Sequence, residues 1–288
     1  MYPSMWTSIY WELSPEDAIS RLATIGYRGV ELSTEHLEVL RDAPDREERL
    51  PALGELVEEL GIEMDQAHIT ITVDIASLDD ERRRKDQDTV LRDLDMLSEL
   101  GITHGVLHPG GFGQRQTLDD VKRQNDVRLE AVSTLAAAAE RAGVCLALEN
   151  GIRTTGPDGA ITWSGDITGL RAFIAEIGSP ALGICLDTGH AILEGWDVAR
   201  AVREAGDLLV ATHIADNDGS GDQHRLPYSY GSKVDWMQVM DAFAEIGYEG
   251  PFNYEVPGER GRPFEILDAV VMHGLELADI LLGTEDDD

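Results

Sequence analysis

The sequence predicts a single (β/α)8 barrel, and three observations carry that prediction. The chain has 288 residues, close to the ~250 typical of one such barrel. A helix-like stretch ending near glycine and feeding a short apolar strand recurs along the chain, as in "TIGYRGVELS", "ELGIEMDQAH", "ELGITHGVLHPG", "RAGVCLALEN", "EIGSPALGICLD", "EAGDLLVATHIAD" and "EIGYEGPFNYEV". Third, the strands so defined all end on residues that bind metals or move protons.

The elements follow in order. The first strand is placed near Ser4–Ser8. "SPEDAISRLATIG" starts with a serine cap and a proline in the first turn, and glycine stops it because it takes positive φ without penalty. "DDERRRKDQDTVLRDLDMLSELG", "DDVKRQNDVRLEAVSTLAAAAERAG" and "DWMQVMDAFAEIG" carry apolar residues at helical spacing. The last helix is expected near Phe264–Leu282. Alternating strands and helices with short links imply a parallel sheet. An open doubly wound sheet is the structural alternative. The barrel is assigned to residues 1–283 and an acidic disordered tail to 284–288.

Composition narrows the setting. Hydrophobic residues make up 42% of the chain, enough for a large core. No run approaches the ~18 apolar residues of a membrane span, and the start lacks the basic and apolar segments of a secretory signal. Cys145 and Cys185 lie in apolar runs, as expected of reduced thiols in a cytoplasmic protein. The net charge is −32, from 55 acidic and 23 basic residues. Such a surface repels polyphosphates, so nucleic acid is not the expected partner. Lysine is confined to Lys85, Lys122 and Lys233. An acidic, lysine-poor surface suggests a high-salt cytoplasm, where screening shortens the reach of charge.

The strand ends point to chemistry. Strands two to eight end at Glu31, His68, His108, Glu149, Asp187, His213 and Glu255, at the end of the barrel where active sites lie. Two residues back along strands five to seven stand Ala147, Cys185 and Ala211, small side chains suited to a barrel interior. One polar strand end is ordinarily a cap or a solvated residue; seven are not explained that way. Clustered buried carboxylates repel and have raised pKa values. A divalent metal removes that conflict. Glu149, Asp187, His213 and Glu255 supply three oxygen donors and one imidazole, which suits Mn²⁺, Mg²⁺, Co²⁺ or Zn²⁺ at one ion per chain.

"LALENG", "ICLDTGHA", "THIADNDGSGDQH" and "FNYEV" resemble the motifs of the xylose-isomerase-like TIM-barrel superfamily, over nearly the whole chain. In its isomerase and epimerase branch the resemblance places the metal on Glu149, Asp187, His213 and Glu255, with Glu149 and Glu255 also the acid/base pair. Polarising a carbonyl and its neighbouring hydroxyl acidifies the C–H between them, which one carboxylate deprotonates and the other can reprotonate. His190 is then a contact to a substrate oxygen. In the endonuclease IV branch three metals bind, and the resemblance places further ligands on His68, His108, His190, Asp222 and His224.

The second strand, "GVELS", and the segment "YGSKVDW" match the sugar branch. No basic and aromatic loop forms a minor-groove wedge. Gly219 stands where ketose epimerases carry an arginine; the nearest is Arg225. The expectation is a metal-dependent isomerase or epimerase of a sugar or sugar-like polyol. A trinuclear phosphodiesterase, a sugar lyase or dehydratase, and a non-catalytic sugar-binding barrel are the alternatives. Trp6, Glu31 and Arg225 are weaker substrate-side candidates, with Tyr10 and Trp11 beside Trp6 at the mouth. Homodimers or homotetramers are what the resemblance implies. Asp216 and Asp218 read as plain acidic loop residues, and His36 and His273 as surface residues. His104 falls at the opposite end of the barrel. Glu81–Asp86 reads as a solvated helix face and Gly110–Gln116 as a lid.

Overall fold

The computed structural model describes residues 1–111, 117–153, 158–159 and 165–283. The segments 112–116 and 284–288, on which most of the expected lid and the expected tail fall, lie outside the described residues. Eight parallel strands run in the order β7-β6-β5-β4-β3-β2-β1-β8. They are β1 (Tyr2–Trp6), β2 (Gly29–Leu32), β3 (Glu63–His68), β4 (His104–Leu107), β5 (Cys145–Glu149), β6 (Leu182–Asp187), β7 (Leu209–His213) and β8 (Pro251–Tyr254). The ring closes between β7 and β8. Ile214 donates to the Asn253 carbonyl at 2.7 Å, and Glu255 donates back to Ile214 at 3.3 Å.

The helices form where the caps dictate. Ser14 caps α1 (Pro15–Ile25) by accepting from the Asp17 amide, and Gly26 ends it in the left-handed region. A reciprocal capping box of Thr117 and Asp120 opens the long helix that follows β4, Leu118–Ala142. The predicted helix Phe264–Leu282 is present with those bounds. Besides one-residue shifts at the ends of β2, β4 and β8, three features differ from the sequence expectation. The first strand ends two residues early, at Trp6, because Thr7–Tyr10 tightens into a 3-10 turn at the barrel mouth. Two helices rather than one (Thr34–Arg41 and Arg46–Leu60) link β2 to β3. A short helix, Thr188–Leu193, starts directly from β6.

The main core lies between strands and helices. A separate small cluster of Val106, Ala147, Cys185 and Ala211 fills the barrel interior from β4, β5, β6 and β7. Side chains alternate along a strand, so the residues two positions further on point into the same space one layer higher. That places His108, Glu149, Asp187 and His213 around the axis at the C-terminal mouth. No helix among the described residues is long and apolar enough to cross a membrane.

Candidate metal centre

Glu149, Asp187, His213 and Glu255 stand at the ends of four consecutive strands and are all buried, as is His68. Glu149 is the hub. Its Oε2 lies 3.1 Å from His108 Nε2 and 3.5 Å from both His68 Nε2 and His213 Nδ1; its Oε1 lies 3.3 Å from His190 Nδ1. Glu255 Oε2 approaches His213 Nδ1 at 3.4 Å from the β8 side.

Several of these buried atoms have no hydrogen-bond partner: Glu149 Oε2, Asp187 Oδ2, Glu255 Oε2, His213 Nδ1 and His68 Nε2. Leaving a buried polar atom unpaired costs about 1–3 kcal/mol, more for a charged one. A folded chain does not converge five such atoms without something for them to bind. Asp187, His68 and His213 are each anchored through their other polar atom. Asp187 Oδ1 caps the Thr188–Leu193 helix through the His190 amide at 2.7 Å, which leaves Oδ2 free. The ligand-type atoms of His68, His213 and Glu255, of His68, His108 and Glu149, and of Glu149, Asp187 and His190 lie within 4.8 Å of one another in each group. The donor set therefore fits a divalent cation.

The electrostatics point the same way. Burial pushes Asp187 up, only partly opposed by His190, and the neighbouring Glu255 and Glu149 add to the rise, bringing it to about 7. Burial also works against ionisation of Glu149 and Glu255, but the surrounding imidazoles win. His108 and His213 hold Glu149 well below the usual range, and His213 and His224 hold Glu255 at about 2. Metal-free, Asp187 holds a proton up to about pH 7, which is the conflict expected of crowded buried acids.

The remaining sequence candidates fall around this centre in distinct ways. His190 Nε2 and His224 Nε2 both face Asp222 Oδ2, at 3.3 and 3.2 Å. His224 Nδ1 meets the Glu255 carbonyl at 3.0 Å. Trp6 stacks at a tilt 6.3 Å from His68, and its indole Nε1 is buried without a partner. Glu31 is fully buried, against His213 Nε2 at 3.1 Å, and does not open to a ligand. Arg225 is engaged by Asp218 and the Tyr230 carbonyl. Tyr10 is buried on Asp268, and Trp11 donates to the Gly258 carbonyl.

Two expectations are corrected. His36 is buried, not on the surface; its ring lies 2.9 Å from Thr7 Oγ1 and 3.3 Å from the Leu13 carbonyl, which pins the β1 turn to the helix after β2. Asp216 is not a plain loop acid. It is buried and accepts from Trp236 Nε1 at 3.0 Å, the Tyr228 amide at 3.1 Å and the Asn217 amide at 2.8 Å. Its backbone pairs with Arg225 through bonds of 2.7 and 3.0 Å. This clamp closes the base of the loop that presents Asp222 and His224. Both non-glycine residues with positive φ among the described residues, His224 and Tyr228, lie at this loop. Such strain persists only where the surroundings impose it. Asp216→Ala is therefore expected to lower the unfolding free energy by about 3 kcal/mol, since three donors, two of them buried, lose their acceptor. An unchanged urea midpoint would refute the clamp.

Sequence reasoning also missed the supports. Asn150 ties β5 to β6 through the Asp187 amide at 2.8 Å and the Asp187 carbonyl at 3.0 Å. Buried Arg128 holds the turn after His108 through the Pro109 and Gly110 carbonyls, each at 3.1 Å. Gly110 has φ +82, and a Cβ there would sit 2.8 Å from the Ala76 nitrogen, so the turn requires glycine. The adjacency of Asn150 to Glu149 was the only available signal for any of these.

The family model for the xylose isomerase-like TIM barrel matches residues 19–277. A D-psicose 3-epimerase of Enterocloster bolteae is 27% identical over 263 residues, 87% of this chain and 79% of that protein. A probable endonuclease 4 of Thermoplasma acidophilum is 26% identical over 225 residues, 77% of this chain and 73% of that protein. The crystal structure of a D-tagatose 3-epimerase-like protein superposes with a TM-score of 0.79 at 21% identity, over 99% of this chain and 98% of that one.

Proposed function

The chain belongs to the xylose isomerase-like TIM barrel family, and from that premise we propose that it is a divalent-metal-dependent epimerase or isomerase of a small sugar. The observation that carries this reading is that buried atoms of Glu149, Asp187, His213 and Glu255 lack partners, with Glu149 Oε2 and Glu255 Oε2 at 3.5 and 3.4 Å from His213 Nδ1. The similarity to a D-psicose 3-epimerase over most of both chains supports it.

Glu149, Asp187, His213 and Glu255 would hold the cation. When bound, it supplies Lewis-acid polarisation of a carbonyl and the adjacent hydroxyl. The chain supplies the rest. Glu149 and Glu255 approach His213 Nδ1 from β5 and β8; one removes the carbon-bound proton and the other delivers one from the opposite side. The surrounding imidazoles favour the ionised form of both carboxylates, which suits the one that acts as base; the one that returns a proton must first take it up from solvent. The unpartnered Trp6 Nε1 offers a hydrogen bond to a sugar oxygen at the β1 side of the mouth. Glu149, Asp187, His213 and Glu255 are at most 3% exposed, which limits the water that reaches them.

One arrangement favours a second reading, a trinuclear phosphodiesterase. Asp222 sits between His190 and His224, and His68, His108 and Glu149 form another close group. The similarity to a probable endonuclease 4 accompanies it. Against it stands the charge of −32, which opposes approach of a polyphosphate.

Elemental analysis of protein purified in high salt without chelator separates the two. One divalent ion per chain, with deuterium uptake from solvent into a ketose, is the expected result. Two or three ions with cleavage of an abasic-site duplex would replace the first reading by the second.

A further inference from the structure

Four histidines at the mouth each turn one ring nitrogen to a group that can only accept. His68 Nδ1 lies 2.8 Å from the Ile69 carbonyl, His190 Nδ1 2.7 Å from the Asn150 carbonyl and His224 Nδ1 3.0 Å from the Glu255 carbonyl. His213 Nε2 lies 3.1 Å from Glu31 Oε1. Since carbonyl and carboxylate oxygens are acceptors, these nitrogens carry the hydrogens. The opposite nitrogen faces Glu149 in His68, Glu149 and Glu255 in His213, and Asp222 in His190 and His224.

The four locks are not equal. Three are backbone carbonyls; only that of His213 is a side-chain carboxylate. An imidazole whose N–H meets a carboxylate is the more basic ligand, and its ring is fixed in orientation. Glu31 is itself held from behind. Asn253 Nδ2 donates to Glu31 Oε2, and Asn253 Oδ1 accepts from Ser4 Oγ at 2.9 Å. The Asn253 amide bonds to Thr212 Oγ1 at 3.2 Å, one residue from His213. Ser4, Glu31, Asn253 and His213 are at most 1% exposed. This chain of β1, β8, β2 and β7 side chains has no outlet to a ligand except through His213.

We infer that Glu31 is a positioning residue: by locking His213 with Nδ1 turned inward, it makes the Glu149–Asp187–His213–Glu255 site the tightest divalent-cation site of this mouth. The inference rests on the reading of those four residues as metal ligands. It does not depend on the substrate or on how many further ions bind.

The test is calorimetric titration of the chelator-stripped protein with Mn²⁺ or Co²⁺, without substrate. For Glu31→Ala and Glu31→Gln, the first equivalent is expected to bind about 10- to 100-fold more weakly. Glu31→Gln preserves shape if the alanine variant does not fold. In the double variant Glu31→Gln/Asn253→Asp, the glutamine oxygen accepts from His213 and its amide donates to the carboxylate introduced on β8. It should recover part of the lost affinity. Ring ¹⁵N spectra of the metal-free protein, taken at a pH high enough that His213 is neutral, should show the remaining hydrogen on Nε2 in the wild type and mixed in Glu31→Ala. Wild-type affinity in both single variants would overturn the inference alone. So would weakened binding with the His213 tautomer unchanged in Glu31→Ala. A wild-type protein that binds no divalent cation would overturn the metal reading and the inference with it.

Discussion

Glu149→Gln and Glu255→Gln are each expected to lower kcat by about 10³-fold or more. Glutamine keeps the size of the side chain and removes the charge and the basic oxygen. General acid–base action alone contributes about 10²–10⁴-fold, and each variant also loses a donor to the cation. The losses differ in character. Glu149 meets four imidazoles, His68, His108, His190 and His213, so its neutralisation removes a counter-charge shared by all four. Among the described residues, the imidazoles that Glu255 meets are those of His213 and His224. Metal affinity should therefore fall further in Glu149→Gln. The assay is deuterium uptake at the substrate carbon, followed by NMR, beside metal content for each variant. Near-normal turnover in either variant would eliminate the acid/base assignment.

Removing the metal should destabilise the protein, and more so at higher pH. The sign follows from Asp187. Burial and the neighbouring carboxylates raise its folded pKa to about 7, from an ordinary 3.8. A group raised on folding contributes stability that is present below its unfolded pKa and lost as pH climbs through the folded one. Between pH 4 and 7 the metal-free protein loses that contribution; above 7 it holds a charged, repelled carboxylate. Binding a cation requires the ionised form, so for this group alone apparent affinity falls about tenfold per pH unit below 7. His190, His213 and His224 are also raised, His224 to about 11, because nearby carboxylates outweigh the opposing effect of burial. Their protons compete in the same direction. With cation at 100 times its Kd, stabilisation of about 2.7 kcal/mol is expected, near 5 °C in Tm for a chain of this size. Thermal scans at pH 6 and pH 8, with and without chelator, should show the larger shift at pH 8. Equal shifts at both values would contradict the placement of Asp187 in the site.

Much of this was legible in the chain because a barrel converts sequence position into place. Each strand ends at the same rim, so a polar residue after an apolar run is delivered to the mouth. The period of two then makes Ala147, Cys185 and Ala211 the layer beneath Glu149, Asp187 and His213, and these small residues do pack together in the interior. Glycine after a helical stretch marked the stops, as at Gly26 and Gly143. Such signals are local: a few residues carry them, and no contact between distant segments is needed to read them.

What only the tertiary structure decided are the relations between strands. Glu31 and His213 are separated by 182 positions; nothing near either residue indicates that one carboxylate locks the other's ring. His36 resembled any surface histidine on a polar helix until the β1 turn folded over it. Asp216 and Asp218 are two residues apart in one acidic loop, yet Asp216 is buried on Trp236 while Asp218 is half-buried beside Arg225. Burial, and with it the cost of an unpaired charge, arises only when distant elements meet. The sequence by itself determined which residues reach the rim; packing determined which of them are left without partners there.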